Sequence, residues 1–207
     1  MRIAYALSAA VAASLFVTLG LDVTRSGEPA SFVAMERTLL GQGALVAWWL
    51  TWTCYPYVLA PLAVALLAIA WRVPAWRTRI LFSIVMLLLC WRGADLAQHY
   101  FMRPRRLDWL VKHEGAFSYP SSHAAIATGF YALWAAMLYT SDLPRRACTV
   151  AAACLLLLAI AICWARLALG AHYLTDLVGG ALLAAALVAA GIAVLPVKVF
   201  ASAEART

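Results

Sequence analysis

Charged residues are scarce in this sequence of 207 residues: Asp, Glu, Lys and Arg together make up 12% of it, whereas hydrophobic residues make up 66%. This composition lies well outside that of soluble domains and predicts an integral membrane protein. The net charge is +7, but in a membrane protein the placement of Lys and Arg first sets topology, so nucleic acid is not expected as a partner. Repeats and low-complexity segments are lacking as well, and the chain is expected to form one polytopic helical domain over 1–207.

The sequence also lacks clusters of residues that could coordinate a metal ion. The five cysteines lie in or at the ends of apolar runs, without the close spacing of a zinc site, and they are expected to be small core residues. The predicted outer loops contain no clustered carboxylates of the kind that hold magnesium. The sequence therefore predicts no metal and no other cofactor. The cysteines are Cys54, Cys90, Cys148, Cys154 and Cys163.

Six apolar stretches are each long enough for a transmembrane helix, which needs about 20 residues. They cover about 3–21, 44–70, 80–101, 122–140, 148–168 and 175–197. The predicted fold is therefore an all-α integral membrane protein with six transmembrane helices. The first stretch is interpreted as a retained helix, with a cleaved signal peptide as the alternative. Pro56 and Pro61 predict a kink or tilt in the long second stretch.

The distribution of basic residues predicts the orientation. With both termini in the cytoplasm, the inner segments carry eight basic residues and two acids, and the outer loops carry six basic residues and five acids. The positive-inside rule favours this orientation. Arg103, Arg105 and Arg106 lie together on the side that the rule disfavours, which suggests a function for them. The outer loop 22–43 has an amphipathic pattern that predicts a short helix on the membrane surface.

Ionisable residues within or at the ends of membrane helices are costly and indicate functional sites. Five of them are predicted to converge at the outer membrane face, at the ends of four stretches: Arg103, His123, Arg166, His172 and Asp176. His172 and Asp176 are four residues apart and share one helical face, where the carboxylate can accept the imidazole N–H and fix its tautomer. A purely structural hydrogen bond is the alternative for this pair alone. Two arginines beside two histidines favour anion chemistry, because guanidinium groups match phosphate oxygens.

The segment Pro120-Ser121-Ser122-His123 begins the fourth stretch. Backbone N–H groups at the start of a helix have no helical partner and attract phosphate oxygens. Ser121 is expected to cap this helix or to bind phosphate, and the two roles are compatible. The segment thus predicts that Ser121 and the backbone near Ser122 form part of an anion site.

These residues resemble the motifs of the type 2 phosphatidic acid phosphatase superfamily, membrane lipid phosphatases that share a helical core with vanadium haloperoxidases. The family motifs are Lys-x6-Arg-Pro, Pro-Ser-Gly-His and Ser-Arg-x5-His-x3-Asp. The sequence has Arg103-Pro104, PSSH at 120–123 and ARLALGAHYLTD at 165–176. It departs from the motifs at Leu96, Ser122 and Ala165, where the family has lysine, glycine and serine. The residues that could replace the lysine are Arg92, His99, Arg105, Arg106 and Lys112.

The resemblance implies a mechanism without metal. His172 would attack phosphorus to form a phosphohistidine while Asp176 orients its ring, and His123 would protonate the leaving oxygen and then activate water. The phosphate oxygens would be held by Arg103, Arg166, Ser121 and N–H groups near Ser122. Arg92 and Asp95 are three residues apart on one helix and are interpreted as a structural ion pair. Support of the phosphate site from below is the alternative for this pair.

The resemblance also implies a lipid phosphate as substrate, in a bacterial inner (plasma) membrane, with the site facing the periplasm or the exterior. The short loops favour undecaprenyl (polyprenyl) pyrophosphate, and the alternatives are phosphatidylglycerol phosphate, phosphatidic acid and lipid A. The same residues would also serve a lipid phosphotransferase. A small membrane transporter is the alternative of another class, but transport predicts charges throughout the membrane depth, and these residues lie at one face.

Overall fold

The computed structural model describes residues 1–107, 110 and 117–195. Within these residues the secondary structure is helical, apart from an isolated β-bridge between Pro104 and Phe117. The helices are α1 (Arg2–Ser26), α2 (Ala30–Leu39), α3 (Ala44–Trp52), α4 (Pro56–Arg72), α5 (Pro74–Phe101), α6 (Ser122–Ile126), α7 (Leu133–Tyr139), α8 (Arg145–Ala168) and α9 (Leu174–Val194). A π-helical segment, Ala127–Ala132, joins α6 to α7. The all-α prediction is confirmed for this part of the chain.

Four of the described helices, α1, α5, α8 and α9, are long and apolar enough to cross a bilayer. Helices α3 and α4 make a fifth span if the pair, bent by 44°, counts as one. The predicted kink is therefore present. It lies just before Pro56, which begins α4 and has no N–H to continue the preceding helix, whereas Pro61 lies inside α4.

The fourth predicted stretch is helical from Ser122 to Tyr139, through α6, the π-helical segment and α7. It is not among the four long apolar helices, so the sixth span stays a prediction. The predicted end of the last stretch, residues 196 and 197, lies outside the described residues. The short helix predicted in loop 22–43 is confirmed as α2.

The segment from α6 to α7 packs against α5, α8 and α9, and Ala124, Ala125 and Ala127 in it are fully buried. Small residues allow membrane helices to approach closely. A Cβ atom on Gly180 of α9 would lie only 2.4 Å from the carbonyl oxygen of Ser121, which is backbone and cannot move aside. The glycine therefore determines how closely α6, which carries His123, sits against α9, which carries Asp176.

Helix α1 packs along α9 and also contacts the segment that precedes α6. The rings of Phe16 and Tyr119 stack with centroids 5.6 Å apart, and the Tyr119 hydroxyl donates to the carbonyl oxygen of Phe16 at 2.6 Å. Many large apolar side chains of the bundle remain exposed, as expected where lipid is the solvent. Three of the cysteines, Cys54, Cys90 and Cys148, are buried as predicted, but Cys163 is half-buried and Cys154 is exposed.

Candidate active site

Polar side chains from four segments meet at one end of the bundle: the chain after α5, the start of α6, the end of α8 and the start of α9. Arg105 and Arg166 lie close enough to influence His123 and His172 electrostatically. Asp176 completes the group through its contact with His172. The structure thus brings together residues that are up to 71 positions apart in sequence, from Arg105 to Asp176.

His172 and Asp176 form a buried pair at the start of α9. The imidazole Nδ1 lies 3.3 Å from Asp176 Oδ2, and the same oxygen accepts the backbone N–H of Tyr173 at 2.9 Å. Tyr173 is the N-cap residue of α9, so Asp176 at the third helical position closes a capping box. The carboxylate is therefore fixed by the helix itself, and it selects the tautomer with a proton on Nδ1, which leaves the Nε2 lone pair available.

The His172 imidazole is only 1% exposed. Burial lowers its pKa from 6.5 to about 4; Asp176 opposes the shift, while Arg166 and Arg105 add to it. The side chain is consequently neutral at physiological pH. A neutral imidazole with a free Nε2 lone pair is the form of histidine that can act as a nucleophile.

His123 is buried at the start of α6. The backbone of Thr51 lies beside its ring, and the Tyr55 ring packs edge-on at a centroid distance of 5.5 Å. Within the described part of the chain, no group hydrogen-bonds to the buried Nε2 atom. This nitrogen is therefore the atom of His123 that could exchange a proton with a bound molecule.

Arg166 lies in the last turn of α8 and is completely buried. Its Nη1 donates to the Thr51 hydroxyl at 3.4 Å. Because Thr51 also contacts His123, helix α3 positions both the arginine and the second histidine. The structure thus adds Thr51 to the predicted set of site residues.

Arg103 lies on the carboxylate side of the histidine–aspartate pair. Its Nη1 donates to Asp176 Oδ1 at 2.6 Å and to Thr175 Oγ1 at 2.8 Å, and its Nη2 donates to Glu28 Oε2 at 2.8 Å. Its guanidinium also stacks over the Tyr173 ring at 4.3 Å. In this structure Arg103 orients Asp176, and the predicted contact of Arg103 with phosphate stays a prediction.

Glu28 and Glu36, from the loop and helix that follow α1, also reach the start of α9. Glu28 accepts the backbone N–H of Thr175 at 3.2 Å and the Thr175 hydroxyl, and Glu36 accepts the backbone N–H of Leu174 at 2.6 Å. Arg106 pairs with Glu36 at 2.7 Å. Sequence reasoning missed both glutamates. The available signal was that Glu28 lies just before the amphipathic helix α2 and Glu36 lies within it.

Glu28 and Glu36 lie close enough at the start of α9 for their carboxyl groups to influence each other. Burial raises the pKa of Glu36 from 4.5 to about 7, and the charge of Glu28 adds to the shift, although Leu174 N–H and Arg106 oppose it.

Arg105 lies on the other side of His172. Its Nη1 is 3.4 Å from His172 Nε2 and donates to the Ala171 carbonyl at 3.3 Å. Burial and the nearby Arg166 lower its pKa to about 10, so it remains charged at neutral pH. Leu96, where the family motif has lysine, is 71% exposed on α5 and does not face this site.

The other predicted supporting residues on α5 lie at the surface. Arg92 and Asp95 form an exposed pair at 4.0 Å, in agreement with the interpretation as an ion pair. His99 is exposed, and its Nδ1 contacts the Asp95 carbonyl at 2.8 Å. Support of the phosphate site by these three side chains is therefore not a feature of this structure. Lys112 lies outside the described residues.

Ser121 is the N-cap residue of α6. Its Oγ accepts the backbone N–H of Ala124 at 3.4 Å, and its own N–H donates to the Asp176 carbonyl at 3.0 Å. The predicted capping role is thus present, and the bond to Asp176 ties the start of α6 to α9. Ser122 is half-buried, and its contact with phosphate stays a prediction.

Fold and site together define a multi-pass membrane protein with a buried histidine–aspartate pair, a second histidine and arginines at one end of a helical bundle. Residues 99–199 match the family model of the PAP2 superfamily, so the match includes every predicted catalytic residue. The part of the chain that carries the site therefore matches the PAP2 superfamily, the family of the type 2 phosphatidic acid phosphatases, as the motif resemblance predicts.

The fold is also similar to the crystal structure of the first transmembrane PAP2-type phosphatidylglycerolphosphate phosphatase from Bacillus subtilis, with a TM-score of 0.74. The alignment covers 90% of this chain and 94% of the other, at 19% sequence identity. At this identity the likeness concerns the fold. No curated protein matches the sequence significantly.

Proposed function

We propose that the protein is a membrane lipid phosphatase that hydrolyses a phosphomonoester or pyrophosphate lipid through a phosphohistidine intermediate. The observation that carries this proposal is the buried His172, whose Nδ1 is held by Asp176 while its Nε2 faces Arg105. A histidine fixed in this way, with a second histidine and Arg166 nearby, has the parts that phosphoryl transfer to nitrogen requires.

In the first step, the Nε2 lone pair of His172 attacks phosphorus in line with the leaving oxygen. The N–P bond forms as the P–O bond to the lipid breaks, and positive charge develops on the imidazole. Asp176 stabilises that charge through Nδ1 and keeps the ring in place. Arg103 keeps Asp176 oriented from the other side.

His123 serves as the acid and then as the base. In the first step, the negative charge of the bound phosphate favours the protonated imidazole of His123, whose Nε2–H donates its proton to the leaving oxygen. In the second step, the neutral Nε2 takes a proton from the water that attacks phosphorus, and the N–P bond to His172 breaks. Both steps use the same nitrogen, which is the buried atom without a hydrogen-bond partner among the described residues. The products are the dephosphorylated lipid, or the lipid monophosphate if a pyrophosphate is cleaved, and inorganic phosphate.

The charge of the transferring phosphoryl group is balanced by guanidinium groups, so the mechanism uses no metal. Arg166 lies beside both histidines, and fixed donors of this kind act without reorganisation in a site from which water is excluded. Arg103, Ser121 and the backbone near Ser122 are the further predicted contacts to phosphate oxygens.

The substrate is a lipid because the site lies at one end of a bundle with an apolar surface. The hydrocarbon chain can stay in the bilayer while the phosphate enters the polar end. We propose that this end faces the periplasm or exterior of a bacterial inner membrane, with both termini of a six-span protein in the cytoplasm; the excess of basic residues on the inner segments supports this orientation.

Among lipids, undecaprenyl pyrophosphate is the preferred substrate, because the chain is compact with short loops. Phosphatidylglycerol phosphate is the second candidate, because the similar Bacillus subtilis structure is named as a phosphatase of that lipid. Phosphatidic acid and lipid A complete the set to be tested. A labelled donor lipid distinguishes hydrolysis from transfer of the phosphoryl group to a second lipid, since only hydrolysis releases the label as inorganic phosphate.

The test is phosphate release from these four lipids by the purified full chain in detergent. We expect release from at least one lipid and its loss in His172→Ala, with the variant still folded. His99→Ala is the matched control, because His99 is exposed and lies outside the site. Full activity of His172→Ala would refute the nucleophile, and lack of release from all lipids would refute the function.

A further inference from the structure

We propose that Arg105 is a phosphate-binding residue of this site and takes the place of the lysine that the first motif lacks at Leu96. The inference rests on the proposed function in naming the ligand as the phosphate group of the substrate. Its structural basis is independent, because it depends on which cation lies beside the nucleophilic nitrogen.

The position of Arg105 relative to His172 is the first argument. Its Nη1 is 3.4 Å from Nε2, on the side opposite to the Asp176 contact at Nδ1. In a reactive complex, phosphorus lies about 3–3.5 Å from the attacking atom. A guanidinium already at van der Waals distance from Nε2 is therefore within hydrogen-bond reach of the oxygens that phosphorus carries. The Ala171 carbonyl, which accepts from the same nitrogen at 3.3 Å, holds the arginine in this place.

The locations of the other basic residues are the second argument. Arg106 is held by Glu36 at 2.7 Å, and Arg103 is held by Asp176 and Glu28. Arg92 and His99 lie on the exposed surface of α5. Of the described basic residues considered as a substitute for lysine, Arg105 is thus the one that contacts the reacting histidine.

Repulsion between two arginines is the third argument. Arg105 and Arg166 both act on the two histidines, and the charge of Arg166 disfavours the charged form of Arg105. An anion that binds between two guanidinium groups removes this repulsion and gains two charge-assisted interactions. The pair is therefore organised for a ligand with several negatively charged oxygens, which matches a phosphate group.

The position of Leu96 makes the inference specific. Its side chain is exposed, whereas Gln98, two residues later, points inward and donates to the Pro120 carbonyl at 2.8 Å. A lysine introduced at 96 would start from the outer surface of α5. Restoring the motif residue is therefore expected to give no compensation when Arg105 is removed.

The experiment compares Arg105→Ala, Arg105→Lys and the double variant Arg105→Ala with Leu96→Lys against wild type. Arg37→Ala is the matched control, since Arg37 is exposed on α2. Binding of inorganic phosphate is measured by calorimetry, and KM is measured with any lipid that is hydrolysed. Loss of a charged hydrogen bond predicts a rise of about tenfold to a hundredfold in both Kd and KM for Arg105→Ala. Arg37→Ala is expected to match wild type, and Arg105→Lys to recover part of the loss.

Wild-type affinity for phosphate in Arg105→Ala, recovery by Leu96→Lys, or lack of phosphate binding by wild type would each overturn the inference. If Arg105→Ala does not fold, the same measurements of Kd and KM are made with Arg105→Gln. Phosphate binding that depends on Arg105 without hydrolysis of any lipid would refute the proposed function and support the inference. Lipid hydrolysis with a KM that is unaffected by Arg105→Ala would support the proposed function and refute the inference about Arg105.

Discussion

Replacement of Asp176 by Asn removes one charge from the centre of the site and keeps the shape of the side chain. Among the described residues, the four polar partners of the carboxylate are all donors: Arg103 and Ser118 at Oδ1, and His172 and the Tyr173 N–H at Oδ2. An amide offers one acceptor atom and one donor group. Whichever way it is oriented, the NH2 group therefore meets two donors.

The orientation of the amide decides the consequence. The charged Arg103, at 2.6 Å, requires the carbonyl oxygen on its side, so the NH2 group faces His172. His172 must then accept at Nδ1 and carry its proton on Nε2, which removes the nucleophilic lone pair. Loss of the correct tautomer predicts a decrease in kcat of about 10³- to 10⁴-fold. The unsatisfied Tyr173 N–H and the weakened Arg103 contact predict a decrease of about 2–4 kcal/mol in the free energy of unfolding.

Single-turnover phosphate release with saturating lipid measures the chemical step, and denaturant unfolding in the same detergent measures stability separately. Asp95→Asn is the matched control, because Asp95 belongs to an exposed ion pair and its replacement should change neither quantity appreciably. Retention of more than about a tenth of wild-type kcat by a folded Asp176→Asn protein would show that His172 does not depend on Asp176 for its tautomer.

Two further predictions concern the acid limb of activity and the packing of α6. Because the pKa of His172 is lowered to about 4, kcat/KM should fall only as the pH drops through about 4. Arg105→Ala removes a positive neighbour and should therefore move the midpoint of this decrease to higher pH. A midpoint at pH 6.5 that does not respond to the variant would contradict the assignment. Gly180→Ala, whose Cβ would lie 2.4 Å from the Ser121 carbonyl oxygen, should lower both kcat and stability by displacing α6. Gly93→Ala, with 3.7 Å to its nearest neighbour in the interior of α5, should leave kcat unchanged and should not lower stability in the same activity and unfolding assays.

Helical periodicity accounts for the parts of the site that could be predicted from the sequence. His172 and Asp176 are one turn apart, and the structure has them in contact. The apolar stretches predicted that His123 and Arg166 lie at the same end of the bundle. In a chain that crosses a bilayer repeatedly, the end of one span and the start of the next lie on the same side of the membrane, and every second connection returns to that side. These inferences need only local spacing and span length, which the sequence contains directly.

The contributions of Glu28 and Glu36 depend on tertiary packing and could not be predicted in this way. Both lie about 140 residues before the N–H groups that they accept. No periodic pattern in the sequence indicates which group such an acid will contact, and both carboxylates could have remained in solvent. Their role becomes visible only when α2 packs against the start of α9, where backbone N–H groups without helical partners attract carboxylates.

Arg103 and Arg105 contact different residues, Asp176 and His172, because of the conformation of the chain after α5. Pro104 disfavours helical geometry at the preceding residue and pairs with Phe117 in a β-bridge. In an extended chain, residues i and i+2 project to the same side, about 6.5 Å apart. The two arginines can therefore flank the Asp176–His172 pair, with Arg103 on Oδ1 of the carboxylate and Arg105 on Nε2 of the imidazole. The motif arginine fixes the orienting carboxylate, and the arginine two residues later lies beside the nitrogen that we propose as the nucleophile.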